Sequence, residues 1–111
     1  MAGDYVPEAG DIVWLDFTPQ TGHEQSGRRL AVVLSPKAYN AKTGLLICVP
    51  ITRQIKHYPF EVVLQKTNID GAALADQVKS LDWQSRNAQY KDQIDRTSLQ
   101  QIKAKLGALL G

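Results

Sequence analysis

A mainly β, α+β fold is predicted for this 111-residue chain: a small barrel-like or sandwich-like sheet of antiparallel strands with a C-terminal α-helix packed against it. Three observations predict it. Five or more short segments rich in branched and aromatic residues are separated by clusters of Gly, Pro, Asn and Asp. Only the C-terminal stretch carries a helical period. The connections are too short for the crossover helices that parallel strands need. The length allows one domain over residues 1–111.

The elements follow in order. Residues 5–11, Tyr-Val-Pro-Glu-Ala-Gly-Asp, read as an entry segment closing in a turn. Residues 12–17 (IVWLDF) read as the first strand. Residues 18–30, with Pro19, Gly22 and Gly27 among polar and charged neighbours, read as a long loop, and loops of about a dozen residues are commonly functional. Residues 31–34 (AVVL) are a short buried strand stopped by Ser35-Pro36. Residues 37–44 are turn-rich, with room for one helical turn. Residues 45–51 (LLICVPI) are the most apolar strand, and Pro50, lacking an N–H, predicts an edge or a bulge at its end. A second loop, 52–59, leads to a strand at 60–64 (FEVVL) and a turn at Asn68-Ile69-Asp70-Gly71. Residues 72–81 read as one or two strands around Asp76. Residues 83–92 are polar and basic and carry no clear period. The final helix takes its cap from Asp95, Thr97 or Ser98, with Gln100 or Gln101 three residues after a hydroxyl. Leu99, Ile102, Leu106, Leu109 and Leu110 fall on one face, the stripe expected to pack on the sheet.

Composition excludes several classes. Hydrophobic residues make up 43% and charged residues 22%, a globular balance. One cysteine, Cys48, permits no internal disulfide and no Cys-rich metal knot. The longest apolar run, residues 45–49, is far below the roughly 20 residues that span a bilayer. The N-terminal stretch is acidic without an apolar core, so no secretory signal is expected and the cytoplasm is the expected compartment. Thirteen Lys and Arg against eleven Asp and Glu leave a charge of +2, compatible with an anionic partner without identifying one.

The residues offer no His-x-x-x-His, no Cys-x-x-Cys, no phosphate-cradling Gly-rich loop and no nucleophile elbow, so no metal or cofactor is expected. The densest reactive segment is Gly22-His23-Glu24-Gln25-Ser26-Gly27-Arg28-Arg29. A carboxylate and two guanidiniums on a Gly-flexed loop suit phosphodiester chemistry. The carboxylate takes a proton; an arginine fork clamps phosphate oxygens. The plainer alternative is a solvated loop with a surface Arg–Glu pair. Cys48 reads as a small core residue, His57 as a loop residue, and Thr52 as either a turn residue or a ligand donor. Trp14 and Trp83 suit a core or an interface, and an exposed one suits base stacking. Arg53, Lys56, Lys79, Arg86 and Lys91 are scattered cations.

The segments Gly10-Asp11-Ile12-Val13-Trp14-Leu15-Asp16-Phe17, Glu24-Gln25-Ser26-Gly27-Arg28-Arg29, Ala31-Val32-Val33-Leu34-Ser35-Pro36, Val49-Pro50-Ile51-Thr52, Tyr58-Pro59-Phe60-Glu61-Val62-Val63-Leu64 and Ala73-Leu74-Ala75-Asp76-Gln77-Val78-Lys79-Ser80, in this order, resemble the MazF/PemK family of toxin–antitoxin endoribonucleases. The likeness covers nearly the whole chain and is weakest over 83–96. It implies an SH3-like barrel with a C-terminal helix, acting as a homodimer. It implies metal-independent cleavage of single-stranded RNA at a short motif such as ACA, by attack of the 2′-hydroxyl, and inhibition by a cognate antitoxin through an extended acidic C-terminal segment. By the same resemblance Glu24 is the general base, Arg29 the catalytic arginine and Thr52 the holder of the scissile phosphate. Gln77 falls near the RNA bases and Arg86 at a phosphate. Arg28, Arg53 and Lys56, the cations of the two loops, complete the expected RNA contacts. The family usually has Pro after the catalytic arginine; Leu30 stands here, and a looser loop is expected from it. Protein-binding poisons that share this barrel are the competing reading.

Overall fold

The most apolar segments of the chain become adjacent central strands. The computed structural model describes residues 5–17 and 27–111. Among these residues the order is β1 (Asp11–Asp16), β2 (Arg28–Val33), α1 (Lys37–Thr43), β3 (Leu45–Thr52), β4 (Glu61–Val63), β5 (Ala72–Leu74), β6 (Lys79–Asp82), β7 (Gln89–Gln93) and α2 (Arg96–Leu110). The strands run β4-β5-β3-β2-β1-β7 through the sheet, with β6 also paired to β3. Every pairing is antiparallel. The mainly β, α+β reading therefore holds.

Both faces of β1, β2 and β3 are buried, which explains their continuous apolar runs. Ile12, Val32, Val49 and Ile51 face one core, closed by Ile102 of α2 with Leu99 and Leu106 beside it. Val13, Leu15, Ala31, Val33, Leu46 and Cys48 face a second core with Leu81 and Trp83. Burial pushes the Cys48 thiol up to about 12, so at neutral pH it stays a protonated core side chain.

The structure corrects several expectations. Pro50 is not at an edge: it pairs with Ala31 of β2 in a central strand. On its other side β3 changes partners, from β6 at Leu45–Cys48 to β5 at Ile51–Thr52, so Val49 and Pro50 lie in the gap. A missing N–H is tolerated in that gap. The turn-rich segment 37–44 holds a helix, Lys37–Thr43, of two turns where room for one was expected, because Gly44 closes it at φ +75° and buried Asn40 pins it. The Asn40 amide donates to the carbonyls of Pro7 and Ser35 and accepts from the Ser35 hydroxyl. Its backbone carbonyl accepts from the Trp83 indole at 2.9 Å. The unassigned stretch 83–92 becomes a turn followed by β7, which pairs with β1.

Asp95 is the cap of α2, accepting from the Ser98 N–H at 3.3 Å and hydroxyl at 2.7 Å. The Ser98 hydroxyl holds its carboxyl below the usual range. Asp95→Ala is expected to lower the melting temperature by a few degrees and fray the first helical turn, read by circular dichroism; an unchanged melt would show that the cap contributes nothing. The apolar stripe is buried only part-way: Leu109 and Leu110 are 48% and 78% exposed.

Candidate active site

Strand register brings the site together. β2 and β3 pair at Ala31–Pro50 and Val32–Val49. The ladder ends there, and beyond it Arg29 and Thr52 stand on the two parting strands. Both line a groove of 310 Å³ with Trp14, Arg28, Leu30, Ile51, Arg53, Ile69 and Asp70. Arg29 and Arg28 are thus strand residues, not part of the long loop, since β2 starts at Arg28 and pairs with Asp16 of β1. Leu30 is likewise held in the ladder, opposite Trp14; residues 18–26, where a looser path is expected, lie outside the described residues.

The Arg29 guanidinium lies over the Phe17 ring, 5.7 Å from its centroid. An aromatic face orients a guanidinium without occupying its N–H donors. Thr52 ends β3. Its hydroxyl oxygen accepts the Gln54 N–H at 3.1 Å, which fixes the oxygen and leaves its proton for another acceptor.

Two of the other three candidate arginines, Arg28 and Arg86, are committed elsewhere. Arg28 pairs with the Asp16 carboxylate at 2.8 Å and donates to the Asn87 carbonyl and the Gln89 amide oxygen. Arg86 donates to the carbonyls of Asp16 and Phe17, each at 2.9 Å. Asn87 binds the second Asp16 carboxylate oxygen at 2.8 Å. Together they clasp the end of β1, where the Phe17 N–H meets the Gly27 carbonyl at 2.6 Å. The Arg29 platform, Phe17, is held by this clasp. Asn87 and then Arg28 hold the Asp16 carboxyl below its ordinary 3.8. The stability it supplies is therefore present above that ordinary value and lost as pH falls through the depressed one. Asp16→Asn is expected to lower the melting temperature at pH 7, with the gap to wild type closing in strong acid. A gap independent of pH would remove the charge from the account.

Arg53 lines the groove at its solvent edge. Lys56 and Gln77 do not line it. The Lys56 and His57 N–H groups bind the Glu61 carboxylate, at 2.9 Å and 2.8 Å, and fold the 52–59 loop back on β4. Gln77 is exposed on the turn after β5, where Asp76 accepts from the Tyr58 hydroxyl. That bond and burial push the Tyr58 hydroxyl up to about 12. Glu24 lies outside the described residues. Sequence reasoning missed Phe17, Leu30, Ile69 and Asp70 as groove or platform residues. Their one sequence signal is position, at strand ends and in the turn before Gly71. Among the described residues no group of three His, Cys, Asp or Glu is placed to hold a metal ion.

With this geometry in hand, the likenesses are specific. Residues 8–110 match the family described as PemK-like, MazF-like toxin of type II toxin-antitoxin system. The chain is 55% identical to the endoribonuclease toxin MazF of Escherichia coli (strain K12), over the whole of both chains. Its fold superposes on MazF from Deinococcus radiodurans with a TM-score of 0.88 at 53% identity, covering 97% of this chain and 99% of that one. The MazE–MazF complex from the same organism gives 0.86 at 47% identity, covering 97% and 98%. The chain belongs to the PemK-like, MazF-like toxins of type II toxin–antitoxin systems.

Proposed function

We propose that this toxin is an endoribonuclease that cuts single-stranded mRNA at a short motif, with ACA the first candidate, and so stops translation and growth. The observation that carries the reading is the pairing of Arg29 with Thr52 at one groove, each with donors uncommitted among the described residues. The Thr52 O–H donates to one oxygen of the scissile phosphate and the Arg29 fork to the others. Glu24 accepts the proton of the 2′-hydroxyl. The 2′-oxygen bonds to phosphorus, the bond to the 5′-oxygen breaks, and that oxygen takes up a proton. The products are a 2′,3′-cyclic phosphate and a 5′-hydroxyl. Arg29 meets the charge that builds on the phosphate, so the reaction is expected to need no metal. Arg53 adds a cation along the RNA path; Lys56 and Gln77 sit further out as contacts to flanking nucleotides. Arg28 and Arg86 act as positioning residues through the Asp16 clasp.

The family membership and the named relatives support this reading: E. coli MazF, PemK and ChpB are all endoribonucleases by name. Crystal structures pair the Deinococcus relative with MazE, and a cognate antitoxin with an extended acidic segment is the proposed inhibitor here, its charge suited to the groove cations. A homodimer is proposed as the working unit. An apolar hollow of 470 Å³ beside the end of α2, lined by Leu34, Pro36, Tyr39, Ile47 and Leu110 among others, offers it a contact face. No helix of the described residues is long and apolar enough to cross a membrane, and the proposed place of action is the cytoplasm, where mRNA is translated.

The test is direct. Purified protein and a long single-stranded RNA in EDTA are expected to give discrete cuts at one short motif, with cyclic phosphate and 5′-hydroxyl ends. Intact RNA after incubation with folded, antitoxin-free protein would favour a poison that binds a protein target.

A further inference from the structure

We infer that Trp14 and Leu30 form the floor of a nucleobase seat beside Arg29 and Thr52, and that this pair sets which base is accepted next to the cut. The inference rests on the RNA-cleaving reading and extends it to how the groove selects sequence.

The argument begins with the core. Ile12 and Val32 face α2 across the first core. Two residues further along each strand, on the same faces, come Trp14 and Leu30, which the register places opposite each other. Neither is fully buried. This end of the face opens into two grooves, the one holding Arg29 and Thr52 and a second of 420 Å³ walled by residues 68–71 and Lys91 of β7. The two grooves share Trp14, Leu30, Arg53, Ile69 and Asp70, so they form one continuous trough.

The second groove has what an unstacked base needs. Trp14 offers an aromatic face, while Leu30, Ile55 and Ile69 offer apolar walls. The Asn68 amide and the Asp70 carboxylate are exposed on its rim, a donor–acceptor set and an acceptor suited to a base edge. Arg53 and Lys91 supply positive charge for the adjoining phosphates. An apolar floor between cations, continuous with the phosphate end of the site, fits a nucleotide of single-stranded RNA. The carboxylates of an acidic peptide would meet the cations and leave the indole face without a partner.

The test compares Trp14→Phe and Trp14→Leu with wild type, each first checked for an unchanged melt. KM and kcat are measured on an oligonucleotide holding the mapped site, and cuts are mapped on a long RNA. Phe keeps a π face and Leu keeps only bulk. Trp14→Leu is expected to raise KM about tenfold or more with kcat little changed, as for loss of one base stack. Trp14→Phe is expected to stay within about threefold. Leu30→Ala is expected to relax the base preference beside the cut. Wild-type KM in Trp14→Leu together with an unaltered cut pattern in Leu30→Ala would overturn the proposal.

A second measurement stands apart from catalysis. An all-2′-deoxy oligonucleotide containing ACA lacks the attacking hydroxyl and so remains intact. Its addition is expected to quench tryptophan emission of the wild type and not of Trp14→Phe, in which buried Trp83 is the remaining indole. Were the wild type to leave RNA uncut, the proposed activity would fall. A quench would still support the base seat, and no quench would overturn it.

Discussion

Replacing Arg29 by alanine is expected to lower RNA cleavage about a hundredfold or more, close to 2.7 kcal/mol of transition-state stabilisation, with the melting temperature nearly unchanged. Two features make the effect large and confined to catalysis. Among the described residues no carboxylate or carbonyl takes a hydrogen bond from this guanidinium; its contact there is the Phe17 ring. Among the described residues its removal therefore leaves no hydrogen-bond acceptor unsatisfied, whereas removal of Arg28 would leave Asp16 only its bond to Asn87. Arg29→Lys is expected to recover only part of the rate, because an ammonium keeps the charge but not the planar fork. Cleavage assays with matched melts decide the matter. Wild-type turnover in Arg29→Ala would remove this residue from the mechanism, and a collapsed melt would give it a structural role instead.

The second large effect is expected at Gly71, a residue with no chemistry of its own. It sits at φ +154° with its backbone pressed against the end of β3. A Cβ there would lie 2.5 Å from the Thr52 carbonyl oxygen and 3.1 Å from the Ile51 side chain. The Gly71 carbonyl is itself held by the Leu64 N–H at 2.9 Å, so it is not free to retreat. Gly71→Ala must therefore displace Thr52, which lines the groove with Arg29. A destabilisation of about 1–3 kcal/mol is expected together with loss of most cleavage. Thr52→Val serves as the comparison. It deletes the hydroxyl and keeps the strand, so it should lose activity with a smaller change in melting. If Gly71→Ala melted and cleaved as wild type does, the close approach would not be what positions Thr52.

The parts of this protein that were legible in the sequence are those fixed by neighbours along the chain. Branched runs gave β1 and β3, and Asp95 lies immediately before the helix it caps. Leu99 and Ile102 recur at the spacing of one helical face. Even here the reading reached only as far as local rules do. Residues 89–93 lacked any alternation because β7 is largely exposed, so no apolar period marks it. Leu109 and Leu110 kept the helical period beyond the point where the sheet ends.

The site divides in the same way. The sequence by itself determined the chemical inventory, namely the carboxylate, arginines and threonine of two polar segments, and through its motifs the family. Tertiary structure alone decided which of these groups are available to a ligand. Arg28, Arg29 and Arg86 are equal in sequence as cations. Strand register sends Arg28 to Asp16, and the turn after β6 sends Arg86 to two backbone carbonyls, while Arg29 is left over an aromatic ring at the groove it shares with Thr52. The same register puts Leu30 beside Trp14 at the open end of the core. A guanidinium's role depends on which acceptors lie within about 3 Å of it, and in a sheet those acceptors come from strands far away along the chain.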